Sequence, residues 1–220
     1  MNIKEWILDF FFPPKCAFCG KVMASAGDGV CPACQKRLPY RPDSSVMQKA
    51  GNFDCAITLY YDDMVVTGIH AMKFEGRSNR TQPFARLMVQ TVAEHLGGQF
   101  DAVTFVPVSA VRRFQRGYDQ GQLLAEEMAA LWGVKAEKIL EKTRNNRPQS
   151  SVKSSAQRAE NVKNAYRIRP GALVAGRRFL LVDDVCTTGS TMAACARTLM
   201  KAGAEQVVCA ALAGGHRDKE

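Results

Sequence analysis

Apolar positions along the chain fall into a few rhythms, and each rhythm predicts a different element. Short alternating or unbroken apolar runs, the mark of a buried strand, recur at DCAITLYYDD, DAVTFVPVS, FLLVDD and EQVVCAALA. Between them lie stretches with helical spacing. MVVTGIHAMKFEGRSNRTQPFARLMVQTVAEHL reads as two helices broken around Gly76. QGQLLAEEMAALWG carries a stripe at Leu124, Met128 and Leu131, and STMAACARTLMKAGA runs to a stop at Gly203. KAEKILEKT reads as the approach to a further strand, and no internal repeat is present. Strands alternating with helices predict an α/β fold, a mostly parallel sheet with crossover helices.

Two segments fall outside these rhythms. Residues 144 to 163, RNNRPQSSVKSSAQRAENVK, have no apolar period and read as a polar loop that turns helical toward its end. The start, MNIKEWILDFFFPP, has an apolar patch interrupted by Glu5 and Asp9 and closed by Pro13 and Pro14. It is far shorter than a membrane span and lacks the basic start and cleavage site of a secretory signal. A short amphipathic lead-in resting on the body is expected there, rather than a membrane-surface anchor. No later segment is long and apolar enough to span a bilayer, so the expected compartment is the cytoplasm.

With 220 residues, 46% hydrophobic and 23% charged, the chain can bury one sizeable core with a small appendage, which excludes an intrinsically disordered protein. Its eight cysteines are unevenly spread. Cys16 and Cys19 (CAFC) and Cys31 and Cys34 (CPAC) fall close together, while Cys55, Cys186, Cys195 and Cys209 are scattered. In a cytoplasmic chain, paired CxxC units read as a metal site before they read as disulfides. Each CxxC turn aims two thiolates at one centre, and two turns supply the four soft ligands of tetrahedral zinc. The spacer GKVMASAGDGV, with three glycines, suits a tight hairpin. Four cysteines close the coordination shell, so the zinc is structural. Losing one ligand is expected to loosen this hairpin and leave the rest of the chain largely intact.

The stretch FLLVDDVCTTGSTM brings chemistry to the carboxyl end of a predicted strand. Asp183 and Asp184 end the strand, Thr187 to Thr191 make a loop, and a helix begins near Ser190. Amides of such a loop, with the positive end of the helix dipole, cradle a phosphate. Carboxylates beside a phosphate have the wrong sign for it but suit two vicinal hydroxyls attached to it. Phosphate plus diol means a ribose 5-phosphate. Cys186 lies in this loop, where a thiol pKa can be lowered, but a small core filler is the expected role. His70, His95 and His216 sit in no motif.

VDDVCTTGST resembles the phosphoribosyl-pyrophosphate (PRPP) signature of type I phosphoribosyltransferases. The wider chain resembles the ComF family of bacterial DNA-uptake competence, through the double CxxC after FPP, AMKFEGRSNR, VPVSAVRRFQRGYDQGQLLA, KTRNNRPQSSVKSSAQRAENVKNAY and the PRPP motif, in that order. The resemblance weakens after Leu212. It implies a type I phosphoribosyltransferase-like domain over residues 41 to 220, residues 41 to 80 being the candidate hood, behind a lead-in and zinc hairpin over 1 to 40. Asp183 and Asp184 would accept from the ribose hydroxyls, and Thr187, Thr188, Gly189, Ser190 and Thr191 would wrap the 5-phosphate. Val108, Ser109, Ala110 and Val111 would form the pyrophosphate loop. The polar stretch headed by Arg144 would close over the substrate and give Arg144 a catalytic part beside the two aspartates. Magnesium would ride on the pyrophosphate, with catalysis by positioning and charge stabilisation.

Charge adds a further expectation. Residues 135 to 169 hold ten Lys/Arg against three Asp/Glu, and Arg112, Arg113 and Arg116 add to them, so much of the net +9 lies near the expected site. A solvated loop around one pyrophosphate is the plain reading. The excess also suits single-stranded DNA, with Phe114, Tyr118 and Tyr166 as candidate stacking residues. A PRPP-binding protein of DNA uptake, acceptor open, is one reading; a non-catalytic DNA-binding or PRPP-sensing module working with other DNA-uptake proteins is the other.

Overall fold

The computed structural model of the chain describes residues 13–25, 27–74, 81–109, 111, 113–114, 117–143 and 165–215. The lead-in, the break around Gly76, Ala110, Arg112, Arg116, Arg144, the rest of the polar stretch to 163, and His216 lie outside the described residues.

Among the described residues, six strands form the main sheet. In chain order they are β1 (Met47–Ala50), β2 (Phe53–Leu59), β3 (Ala102–Phe105), β4 (Lys135–Ala136), β7 (Arg178–Val185) and β8 (Gln206–Ala213). Across the sheet the order is β1-β2-β8-β7-β3-β4. Only the β1–β2 pair is antiparallel; the other four pairings are parallel. A separate hairpin pairs β5 (Leu140–Lys142) with β6 (Tyr166–Ile168). The sequence does not announce β1, a four-residue edge strand with three positions left partly or fully exposed.

Helices cover both faces, as a parallel sheet requires. Two short turns, α1 (Pro32–Gln35) and α2 (Asp43–Val46), precede α3 (Asp63–Phe74), α4 (Thr81–Leu96), α5 (Gln120–Trp132) and α6 (Ser190–Lys201). Successive side chains of a strand face opposite sides, and the core divides accordingly. Leu180, Val182, Val208 and Ala210 join Val65, Ile69 and Met72 of α3, Phe84 and Met88 of α4, and Leu124 and Met128 of α5. Phe179, Leu181, Val207 and Cys209 face the other way, onto Met192, Cys195 and Leu199 of α6 and onto Leu140 and Tyr166 of the hairpin.

The expected stripe on α5 needs one correction. Leu124 and Met128 are buried but Leu131 is 48% exposed. The buried face runs through Gly121, Leu124, Ala125, Met128 and Ala129, the half-buried Trp132 meets Phe100 edge-on at 5.4 Å, and Leu131 falls outside that face.

The zinc hairpin belongs to the first of these cores. Cys16, Ala17 and Phe18 are fully buried with it, and Phe18 stacks edge-on against Phe84 of α4 at 5.2 Å. Gly68 lets α3 approach the hairpin backbone: a Cβ there would lie 3.1 Å from the Ala17 carbonyl oxygen and 3.3 Å from Phe18 Cα. Among the described residues, no helix is long and apolar enough to cross a membrane.

Candidate functional site

β3 is followed by α5 on one face of the sheet, and its neighbour β7 by α6 on the other. Where connections leave adjacent parallel strands in opposite directions, a crevice opens at the carboxyl ends of the strands. The two expected loops both lie there, one after β3 and one after β7.

Strand β7 runs through both aspartates to Val185, which pairs with Ala213, so Asp183 and Asp184 lie within the strand rather than at its end. Cys186 to Gly189 make the turn, and α6 begins at Ser190. Asp183, Val185, Cys186, Thr187, Thr188, Gly189, Ser190, Thr191 and Met192 line one open pocket of about 200 Å³. The first turn of a helix leaves amides that its own ladder does not use, and the dipole adds positive potential. Thr188 Oγ1 and Ser190 Oγ lie 2.9 Å apart at the rim.

The two aspartates part company. Asp183 is half-buried in the pocket lining, and its Oδ1 accepts the backbone N–H of Asp184 at 2.8 Å. Burial first, then the adjacent Asp184, push the Asp183 carboxyl well above the usual range, with Lys73 pulling the other way. Asp184, 9% exposed, faces the α3 side and forms an ion pair with Lys73.

Gly189 caps α6 in the left-handed region at φ 69°, and a Cβ there would lie 2.7 Å from Ala50 Cα. β1 therefore crowds this position from behind. Gly189→Val combines αL strain with a clash on backbone, each costing about 1–3 kcal/mol. We expect a loss of about 2–4 kcal/mol in stability by denaturant unfolding, and wild-type stability would show that the loop can move off β1.

The β3 loop is more helical than a simple turn. Arg113 N–H donates to Ser109 O at 2.9 Å and Gly117 N–H to Arg113 O at 2.8 Å. Ser109 is buried, Val108 half-buried and Val111 exposed. Sequence reasoning missed what anchors this loop. Asp119 caps α5: one carboxylate oxygen accepts the Gln122 N–H at 3.3 Å and the other the Val108 N–H at 3.2 Å. Burial raises the Asp119 carboxyl, and these amides partly offset it. The spacing Asp119-x-x-Gln122 ahead of an apolar run is a capping-box signal that pointed here. Beside it the Tyr118 hydroxyl donates to the Met72 carbonyl at the end of α3. Lys73 lies in the motif AMKFEGRSNR, but its role was missed because its partner lies across the fold.

Of the basic residues, Arg113 and Arg169 crowd Lys138, whose pKa is lowered first by burial and then by those two cations. Others are spent on structure: Arg167 pairs with Glu141, and Arg177 binds Glu137 at 2.7 Å. Of the three candidate stacking residues, Phe114 is 91% exposed, Tyr166 is buried, and Tyr118 is half-buried against α3. Cys186 is buried at the pocket floor, its thiol pKa lowered by a hydrogen bond with Cys55 and by the Gly189 amide, against the effect of burial.

At the other end of the chain, the ligand atoms of Cys16, Cys19, Cys31 and Cys34 all lie within 4.8 Å of one another. Zn–S bonds of 2.3 Å set tetrahedral sulfur–sulfur edges of about 3.8 Å, and Cys19 Sγ to Cys31 Sγ is 3.8 Å. The Cys31 amide donates to Cys16 Sγ. Burial works to raise the Cys16 thiol, but amide hydrogen bonds from Cys31, Cys19 and Phe18 outweigh it and bring it to about 7. Burial and the surrounding thiols push Cys34 up, so metal binding at neutral pH must displace its proton. Four sulfurs at this spacing fit a closed structural zinc site.

Comparison with known proteins agrees with both halves. Residues 84–220 match the phosphoribosyl transferase domain family and residues 7–47 the double zinc ribbon domain. The chain is 31% identical over 205 residues to the DNA utilization protein YhgH of Escherichia coli O157:H7, covering 87% of this chain and 86% of that protein. It is 28% identical over 219 residues to competence protein F of Haemophilus influenzae, covering 90% and 95%. A glutamine PRPP amidotransferase from B. subtilis, solved with ADP and GMP, aligns over 66% of this chain and 27% of its own, with 25% identity and a TM-score of 0.41. With a type I phosphoribosyltransferase fold, a double zinc ribbon and relatives of these names at nearly full length, the chain belongs to the ComF family.

Proposed function

We propose that the protein binds PRPP in the crevice after β3 and β7 and serves in bacterial DNA uptake, in keeping with relatives named for competence and for DNA utilization. The observation that carries this is one pocket lined by both Asp183 and the Thr187–Thr191 stretch at the start of α6. The 5-phosphate meets the loop amides and the hydroxyls of Thr187, Thr188, Ser190 and Thr191, and Asp183 accepts from the ribose diol. The pyrophosphate lies toward Val108, Ser109 and Val111, with the loop fixed through Asp119. Magnesium takes hard oxygen ligands; it would be held by the pyrophosphate with Asp183 as the nearby protein oxygen donor, and would supply charge neutralisation on the leaving group. If the protein turns over, the bond from the sugar C1 to the pyrophosphate oxygen breaks and a bond from C1 to the acceptor forms. Such a step needs stabilisation of a cationic centre and no protein nucleophile. Pyrophosphate release, measured with PRPP and magnesium across a panel of nucleobases and single-stranded DNA, identifies the acceptor. No release with any of them, alongside tight PRPP binding, favours a sensing role.

A second reading, binding of single-stranded DNA, draws on the ten Lys/Arg against three Asp/Glu in residues 135 to 169 and on the exposed Phe114 ring. Affinity for an oligonucleotide then falls steeply with salt and depends little on sequence. Changing Arg112, Arg113 and Arg116 together to Gln flattens the salt slope by up to about 2 units if each neutralises a phosphate; an unchanged slope in a fluorescence-anisotropy titration removes this reading.

A further inference from the structure

The motif AMKFEGRSNR has no part in the site described so far except through Lys73. This residue ends α3, and its ammonium pairs with Asp184. The two side chains are 21% and 12% exposed, against 64% and 51% for the surface pair Lys49–Asp54. A pair so withdrawn from water is little screened, and removing one partner leaves an uncompensated charge inside the protein. The end of α3 is held independently by the bond from Tyr118 to the Met72 carbonyl, so Lys73 is free to act on the carboxylate rather than merely to anchor the helix. On the other face, Asp183 takes its hydrogen bond from the Asp184 peptide. Asp184 thus offers its peptide N–H to Asp183 and its side chain to Lys73.

We propose that Lys73 is a positioning residue for the diol half of the site. Its ammonium holds Asp184 on the α3 side of the sheet and cancels its charge, which leaves Asp183 turned into the pocket to accept the vicinal hydroxyls of a pentose 5-phosphate. This rests on the PRPP reading above. Two probes divide the site: ribose 5-phosphate for the diol and phosphate half, and magnesium pyrophosphate for the β3 loop. Lys73→Met should lose about tenfold or more in ribose 5-phosphate affinity, keep its pyrophosphate affinity within about twofold, and Lys73→Arg should regain most of the loss. Lys73→Gln, which keeps a hydrogen bond to Asp184 without the charge, gives the same split if the Met variant does not fold. Unchanged ribose 5-phosphate binding overturns the proposal. So does an equal loss of both probes, which would make Lys73 a structural support for the α3 end and, through Tyr118, for both loops. Failure of the unmutated chain to bind ribose 5-phosphate would instead remove the PRPP reading itself.

Discussion

Cys34→Ser, or exhaustive chelation, lowers the melting temperature of the whole chain in a single transition. The sequence alone suggested a hairpin that could loosen by itself, but Phe18 is buried against Phe84, α3 touches the hairpin backbone at Gly68, and a Cβ on Gly29 would strike Pro83 at 2.1 Å. Structural zinc in isolated fingers is worth about 10–16 kcal/mol, and each kcal/mol moves the midpoint of a chain this size by about 2–4 °C. A fall of at least about 10 °C is therefore expected, together with one zinc per chain by elemental analysis. Unchanged melting after chelation, or a separate early transition of the hairpin, would show that the two parts fold independently.

Replacing both Asp183 and Asp184 by Ala weakens PRPP binding by about tenfold or more, since a hydrogen bond to a charged group is worth about 1.5–3 kcal/mol. The geometry assigns unequal shares. Asp183 lines the pocket and Asp184 faces Lys73, so Asp183→Ala alone should account for most of the loss with little change in melting temperature. Asp184→Ala should instead cost stability, because it strands a largely buried ammonium. Equal binding losses and equal stabilities for the two single variants, by calorimetry and thermal melting, would contradict this division.

Local pattern carried much of the fold. The stretches FLLV and VVCAALA are unbroken apolar because both faces of a central parallel strand are covered, and they belong to the two middle strands, β7 and β8. Ser190 as a helix start and Gly203 beyond its end were readable from turn chemistry; Gly203 has φ 91° and donates to the Met200 carbonyl. What local pattern could not carry depends on contacts distant in sequence. β1 is a strand because β2 pairs with it, not because its residues are apolar. Gly189 stands in the expected phosphate loop, yet what crowds it is Ala50 of β1, far off in sequence. The inequality of Asp183 and Asp184 follows from strand alternation and from Lys73 on α3. Asp119 lay between these extremes: its capping role was legible, and its grip on Val108 was not.

The central claim is that the crevice after β3 and β7 is a PRPP site. Isothermal titration calorimetry of the zinc-loaded chain with PRPP and magnesium tests it most directly. The account predicts saturable binding at one site per chain, competed by ribose 5-phosphate and lost in Asp183→Ala. Absence of binding at millimolar PRPP, or binding that Asp183→Ala leaves unchanged, would contradict it.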